Sequence, residues 1–145
     1  MRPEGFKFQL HELVCKHVLK KYGERAWMFI DQRAIDVLHW LREGIGRPIQ
    51  INTYGFGGTD TQSGLRCNLC KLVQNKTKAQ NPYLSAHVLG KAWDLSVKDM
   101  TADEVRSLIV EHIASCPHPI RLELEVAWVH IDVYDMGMRI GYFRP

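Results

Sequence analysis

The apolar periodicity of the chain changes once along its 145 residues, and that change limits the folds open to it. Leu10, Leu13, Val14, His17, Val18 and Lys21 recur at a spacing of three to four, and after Gly23 the spacing returns in Trp27, Ile30, Ala34, Val37, Leu38 and Leu41. A helix with one dry face requires that period. Two helices are therefore predicted, the second stopped by Gly44 and Gly46 and kept from resuming by Pro48. Pro48 to Thr53 (PIQINT) reads as a short strand. Late in the chain the period becomes two. In Ala92–Val97, Trp93, Leu95 and Val97 alternate with Ala92, Asp94 and Ser96, as in a strand with one buried face. Ile120–Leu124, Trp128–Tyr134 and Met138–Phe143 read as further strands, the last two joined across Asp135–Gly137. Thr101 with Glu104 forms a capping box that opens a helix reaching about Ser115. Helices early and strands late predict an α+β fold, N-terminal helices packed on a small antiparallel sheet.

The length suits one domain with its own core, divided here into helical support (1–46) and a unit of sheet and loops (47–145). A hydrophobic share of 46% without any polar tract argues against disorder. No apolar run approaches the roughly 20 residues of a membrane span. The opening stretch, MRPEGFKFQLHELVCKHVLKKYG, is broken by charge too often for a secretory signal. The expectation is a soluble monomer, cytoplasmic at synthesis, without a membrane anchor. A net charge of +3, from 19 basic and 16 acidic residues, is too mild for a nucleic-acid footprint.

Between Tyr54 and Leu84 the periodicity disappears. Gly55, Gly57, Gly58 and Gly64 crowd its first part, and NKTKAQNP fills its last, with a short helix expected near Cys67 to Val73. A stretch this long without regular structure is usually functional in a compact domain. Cys67 and Cys70 within it form a C-x-x-C, the pattern of a zinc knuckle or a redox pair, while Cys15 and Cys116 stand alone. A zinc ribbon needs a second such pair, and a nucleic-acid zinc finger needs a second histidine at the right spacing. Neither is present, so ordinary reduced thiols are expected.

The chemistry gathers in SAHVLGKAWDL and WVHIDV. Gly90 permits a tight turn after His87, and Asp94 lies on the strand face opposite Trp93 and Leu95. In the second segment Val129, Ile131 and Val133 share one face, while Trp128, His130 and Asp132 share the other. If the two strands are neighbours in an antiparallel sheet, His87, Asp94 and His130 converge. Two imidazoles and one carboxylate with a fourth position open to water describe a catalytic zinc site; a plain His–Asp hydrogen bond is the simpler alternative.

Ser85-Ala-His87-Val-Leu-Gly90-Lys-Ala92-Trp-Asp94, followed by Trp128-Val-His130-Ile-Asp132, resembles the D-alanyl-D-alanine carboxypeptidase family of zinc peptidases, which shares its fold with the hedgehog signalling domain. The likeness runs from about Ile49 to the C-terminus and is nearest to small phage and prophage endolysin-like members. It implies that His87, Asp94 and His130 bind one catalytic Zn2+. Arg66, in SGLR, resembles the family's arginine and would hold a substrate carboxylate or the polarised carbonyl oxygen. Ser85 matches the motif as a turn or supporting residue, and Gln62, Tyr54 and Trp128 are candidates to line the cleft. The family's general base often stands three positions before the last histidine, where this chain has Ala127. Glu123 and Glu125 are the nearby acids. On one unbroken strand both would face away from His130. A hairpin turning around Glu125 to Ala127 would set Glu123 beside His130, which makes Glu123 the first candidate base and Glu125 the second.

The resemblance implies hydrolysis of peptidoglycan stem peptides, at the terminal D-Ala–D-Ala bond or internally as in L-Ala–D-Glu endopeptidases. A wall-cutting enzyme made without an export signal fits an endolysin that reaches the wall after release. The alternative is a zinc-stabilised binding module of the hedgehog type without turnover, for which the absent acid at position 127 speaks.

Overall fold

A computed structural model describes residues 1–145. The helical third is more broken than its periodicity predicts. It comprises α1 (Leu10–Leu13), α2 (Lys16–Tyr22), a 3-10 stretch (Gly23–Phe29) and α3 (Gln32–Ile45). Asp31 caps α3 by accepting from the Arg33 N–H, and Gly46 ends it in the left-handed region. The break between α1 and α2 has a tertiary cause. Val14 is extended and forms a parallel bridge with Leu65.

The sheet contains β1 (Ile49–Gln50), β2 (Ala92–Val97), β3 (Ile120–Glu123), β4 (Val129–Asp132) and β5 (Ile140–Phe143), in the order β1-β2-β4-β3-β5. Residues 71–78 form α4 (Lys71–Lys78), slightly later than its expected position, and α5 (Ala102–Glu111) opens with the Thr101–Glu104 capping box. The fold is α+β, but the sheet is mixed rather than antiparallel, because β5 runs parallel to β3. The expected hairpin between the last two strands does not form. Strand β4 already has β2 on one edge and β3 on the other, which leaves no edge for a β4–β5 hairpin, and β5 joins at the outer edge of β3.

One core of 29 buried residues runs through the helical third and the sheet alike. Trp93, Leu95, Leu122, Val129 and Ile131 present the apolar face, and the Trp93 indole N–H donates to the Ala34 carbonyl of α3 across 2.9 Å. That leaves the other face of β2, β3 and β4 for polar side chains. The turn joining β3 to β4 is held from α5, where Arg106 donates to the carbonyls of Trp128 (2.9 Å) and Val126 (3.1 Å). No helix is long and apolar enough to cross a membrane.

Candidate metal centre

Register brings the polar face together. Asp94 stands directly opposite His130 in the β2–β4 pair, and Leu122 opposite Ile131 in the β3–β4 pair sets Glu123 beside His130. His87 arrives from the turn before β2. Gly90 shapes that turn at φ +69°, and a Cβ there would lie 2.0 Å from the Phe29 carbonyl oxygen, so only glycine fits.

The three candidate ligands converge. His87 Nε2 lies 3.2 Å from Asp94 Oδ2, and His130 Nδ1 lies 2.8 Å from Asp94 Oδ1. The outward ring nitrogens are occupied: His87 Nδ1 is 2.9 Å from the Gly64 carbonyl, and His130 Nε2 is 2.6 Å from Asp132 Oδ2. A carbonyl can only accept, so His87 Nδ1 carries the proton and Nε2 is left as the ligand atom. The buried Asp132, itself clasped by Arg121 Nε (2.9 Å) and Nη2 (2.8 Å), draws the His130 proton to Nε2 and leaves Nδ1 facing inward. Oriented imidazoles with their outer N–H groups satisfied are the usual support of metal-ligating histidines.

The electrostatics agree with a site built for positive charge. Burial works against the Asp94 carboxylate, yet His130 and His87 outweigh it and hold its carboxyl well below the usual range. Asp132 is also lowered despite burial, through His130 and then Arg121. Burial draws His87 below its ordinary value. It acts on His130 in the same direction, but the Asp132 and Asp94 carboxylates prevail and push that imidazole up to about 9. Two inward ring nitrogens facing one carboxylate need a shared proton or a cation, and the donor set suits a divalent metal.

The other candidates separate. Arg66 donates from Nη2 to Asp94 Oδ2 at 3.0 Å, with Nη1 3.4 Å from the Tyr83 hydroxyl, so it touches the centre directly. Glu123 Oε2 lies 4.0 Å from His130 Nδ1. A cleft of about 680 Å³ is lined by Arg66, Ser85, His87, Asp94, Glu123 and His130, with Trp128 at its rim. Ser85 Oγ accepts from the Val88 N–H in the turn. Gln62 lines an adjoining cleft with Arg66 and Trp128, and its side-chain oxygen accepts from the Leu72 N–H. Two expectations need correction. Glu125 is exposed in the turn after β3, where its φ is positive, and pairs with Arg144 at 3.0 Å. Tyr54 turns from the cleft and donates its hydroxyl to the Val14 carbonyl at 2.9 Å. Asp132 and Arg121 are further members of the centre to which no motif assigns a role, although the shared strand face of His130 and Asp132 is a signal for the first.

A second cluster also lies within metal-binding distance: Cys15, His17, Cys67 and Cys70, whose ligand atoms all fall within 4.8 Å of one another. Cys15 does not stand alone. No protein-family model matches the chain, and no curated protein or solved structure matches it.

Proposed function

We propose that this chain is a zinc-dependent peptidase hydrolysing peptidoglycan stem peptides, at a terminal D-Ala–D-Ala bond or an internal bond of the L-Ala–D-Glu type. One observation carries the proposal: His87 Nε2 and His130 Nδ1 both face the Asp94 carboxylate while their outer nitrogens are engaged by Gly64 and Asp132. The motifs around those residues, with their likeness to the D-alanyl-D-alanine carboxypeptidases, supply the substrate class.

His87, Asp94 and His130 would hold the zinc, which when bound supplies Lewis acidity, easing deprotonation of water near neutral pH and polarising a scissile carbonyl. The chain's own groups do the rest. Glu123 takes a proton from water at its carboxylate and delivers it to the leaving amine nitrogen. Arg66 offers a planar fork of donors to a substrate carboxylate or to the carbonyl oxygen as charge develops. Asp132 keeps the His130 proton on Nε2, and His130 and then Arg121 keep Asp132 ionised. Trp128 gives the cleft an apolar rim against which a peptide side chain can lie.

The test combines zinc counting with product analysis. His87→Ala and His130→Ala should each lose one zinc per chain, together with D-alanine release or cleavage within a synthetic stem peptide. A wild type that keeps that zinc and cuts no stem peptide would overturn the peptidase. The absence of an acid at position 127 favours a second reading, a zinc-stabilised binding module; tight stem-peptide binding without cleavage is its expected outcome.

A further inference from the structure

The geometry points to a second, structural zinc site, formed by Cys15, His17, Cys67 and Cys70, that clips the N-terminal helices to the segment carrying Arg66. It is separate from the histidine–aspartate centre and does not depend on any catalytic role.

The backbone is arranged to deliver these residues to one point. The periodicity of Leu10, Leu13, Val14 and Val18 would carry one helix through position 15, yet the chain opens there. The Leu65 N–H donates to the Leu13 carbonyl at 2.8 Å, and the Cys15 N–H donates to the Leu65 carbonyl at 3.0 Å. The two segments approach so closely that a Cβ on Gly64 would lie 2.1 Å from the Leu13 carbonyl oxygen. Asn52 Nδ2 and the Tyr54 hydroxyl both donate to the Val14 carbonyl, at 3.0 and 2.9 Å. The opened segment therefore lies alongside Leu65, two residues before Cys67.

The side chains then meet as ligands do. Cys67 Sγ is 3.6 Å and Cys70 Sγ 3.9 Å from His17 Nδ1. Zn–S bonds of about 2.3 Å and Zn–N bonds of about 2.0 Å in a tetrahedron put sulfur and nitrogen about 3.5 Å apart and two sulfurs about 3.8 Å apart. The cluster is within a few tenths of an ångström of that size along both of these S···N edges. The Leu69 N–H points at Cys67 Sγ across 3.4 Å, the kind of backbone donor that supports a ligating thiolate. A redox pair would use Cys67 and Cys70 alone and leaves Cys15 and His17 without a reason to face them. Cys116 shows what an uninvolved thiol does in this chain: it is buried and donates to the His118 carbonyl. Three cysteines and one histidine form a closed set with no position left for water, which is the pattern of a structural zinc.

Arg66 directly precedes Cys67, and its guanidinium bonds Asp94. The clip thus anchors the base of the segment from which Arg66 enters the cleft.

The experiment uses the full chain loaded with cobalt(II) or zinc. Cobalt-loaded wild type should show thiolate-to-cobalt charge-transfer absorption in the near ultraviolet, retained in His87→Ala/His130→Ala and lost in Cys67→Ser/Cys70→Ser. Zinc should number two per wild-type chain and one in the His87→Ala/His130→Ala variant. X-ray absorption on that variant should give three sulfur neighbours at about 2.3 Å. Absence of the charge-transfer band from wild type overturns the site. So does a metal in the His87→Ala/His130→Ala variant without sulfur neighbours, or a Cys67–Cys70 disulfide in chain purified without oxygen. Should the cysteine variant fail to fold, the wild-type spectrum still decides, because the histidine–aspartate centre contains no thiolate.

Discussion

Asp132→Asn separates support of a metal ligand from simple structural pairing. Asp132 is 1% exposed and accepts from His130 Nε2 (2.6 Å), Arg121 Nε (2.9 Å), Arg121 Nη2 (2.8 Å) and the Tyr134 N–H (3.0 Å). Asparagine keeps the shape but only one of the two acceptor oxygens. If that oxygen takes the place of Oδ1, serving Arg121 Nε and Tyr134, the new amide N–H faces His130 Nε2. His130 must then accept there and carry its proton on Nδ1, the atom that would bind metal. Loss of such a partner typically costs about 10–100-fold in metal affinity, or roughly 1.4–2.7 kcal/mol. The ion pair with Arg121 is lost too. Breaking a fully buried pair costs about 3–5 kcal/mol, but the Arg121 side chain is 20% exposed and its guanidinium lies over Tyr134 (4.7 Å) and Phe143 (4.4 Å). About 1–3 kcal/mol of stability is the corresponding expectation. Zinc competition with a chromophoric chelator reads the affinity, the cysteine-bound metal being counted apart by its thiolate absorption, and urea unfolding reads the stability. Wild-type zinc affinity in a destabilised Asp132→Asn chain would refute the tautomer argument.

Glu123→Gln should retain zinc and lose about 10²–10⁴-fold in peptide hydrolysis, whereas Glu125→Gln should leave the rate within about twofold; equal losses in the two would remove Glu123 as the base. With the histidine centre stripped of metal, the raised His130 value makes stability highest below its unfolded value of about 6.5 and lets it fall as pH rises through about 9. His87, which burial lowers, favours the neutral ring and opposes this only at the acid end. The urea midpoint should therefore drop between about pH 7 and about pH 10, and His130→Gln should flatten that slope; a flat wild-type profile contradicts it. Gly90→Ala, which sets a Cβ 2.0 Å from the Phe29 carbonyl oxygen at a positive φ, should cost at least about 2 kcal/mol in denaturant unfolding. An unchanged midpoint would show that the turn can shift.

The centre was legible in the sequence where it depends on strand alternation. Asp94 and His130 both occupy the face their segments leave free of aliphatic side chains, and the register sets them opposite each other. The hairpin inferred for Glu123 is present, since β3 folds back along β4. What local pattern could not convey was pairing between distant segments. The place of β5 outside β3 reflects both edges of β4 being occupied, and that is a property of the assembled sheet. The break at Val14 is invisible to helical periodicity because Val14 stays buried, now against Leu65 instead of within a helix. Cys15 stands alone in the sequence for the same reason, its partners Cys67 and Cys70 lying far along the chain in a segment without periodicity.

Mass spectrometry of purified peptidoglycan after digestion tests the proposed peptidase most directly, with zinc-loaded wild type and Glu123→Gln compared at equal metal content. The expected result is stem-peptide fragments or free D-alanine with wild type and neither with Glu123→Gln. Intact peptidoglycan after exposure to wild-type chain holding zinc on His87, Asp94 and His130 would contradict it.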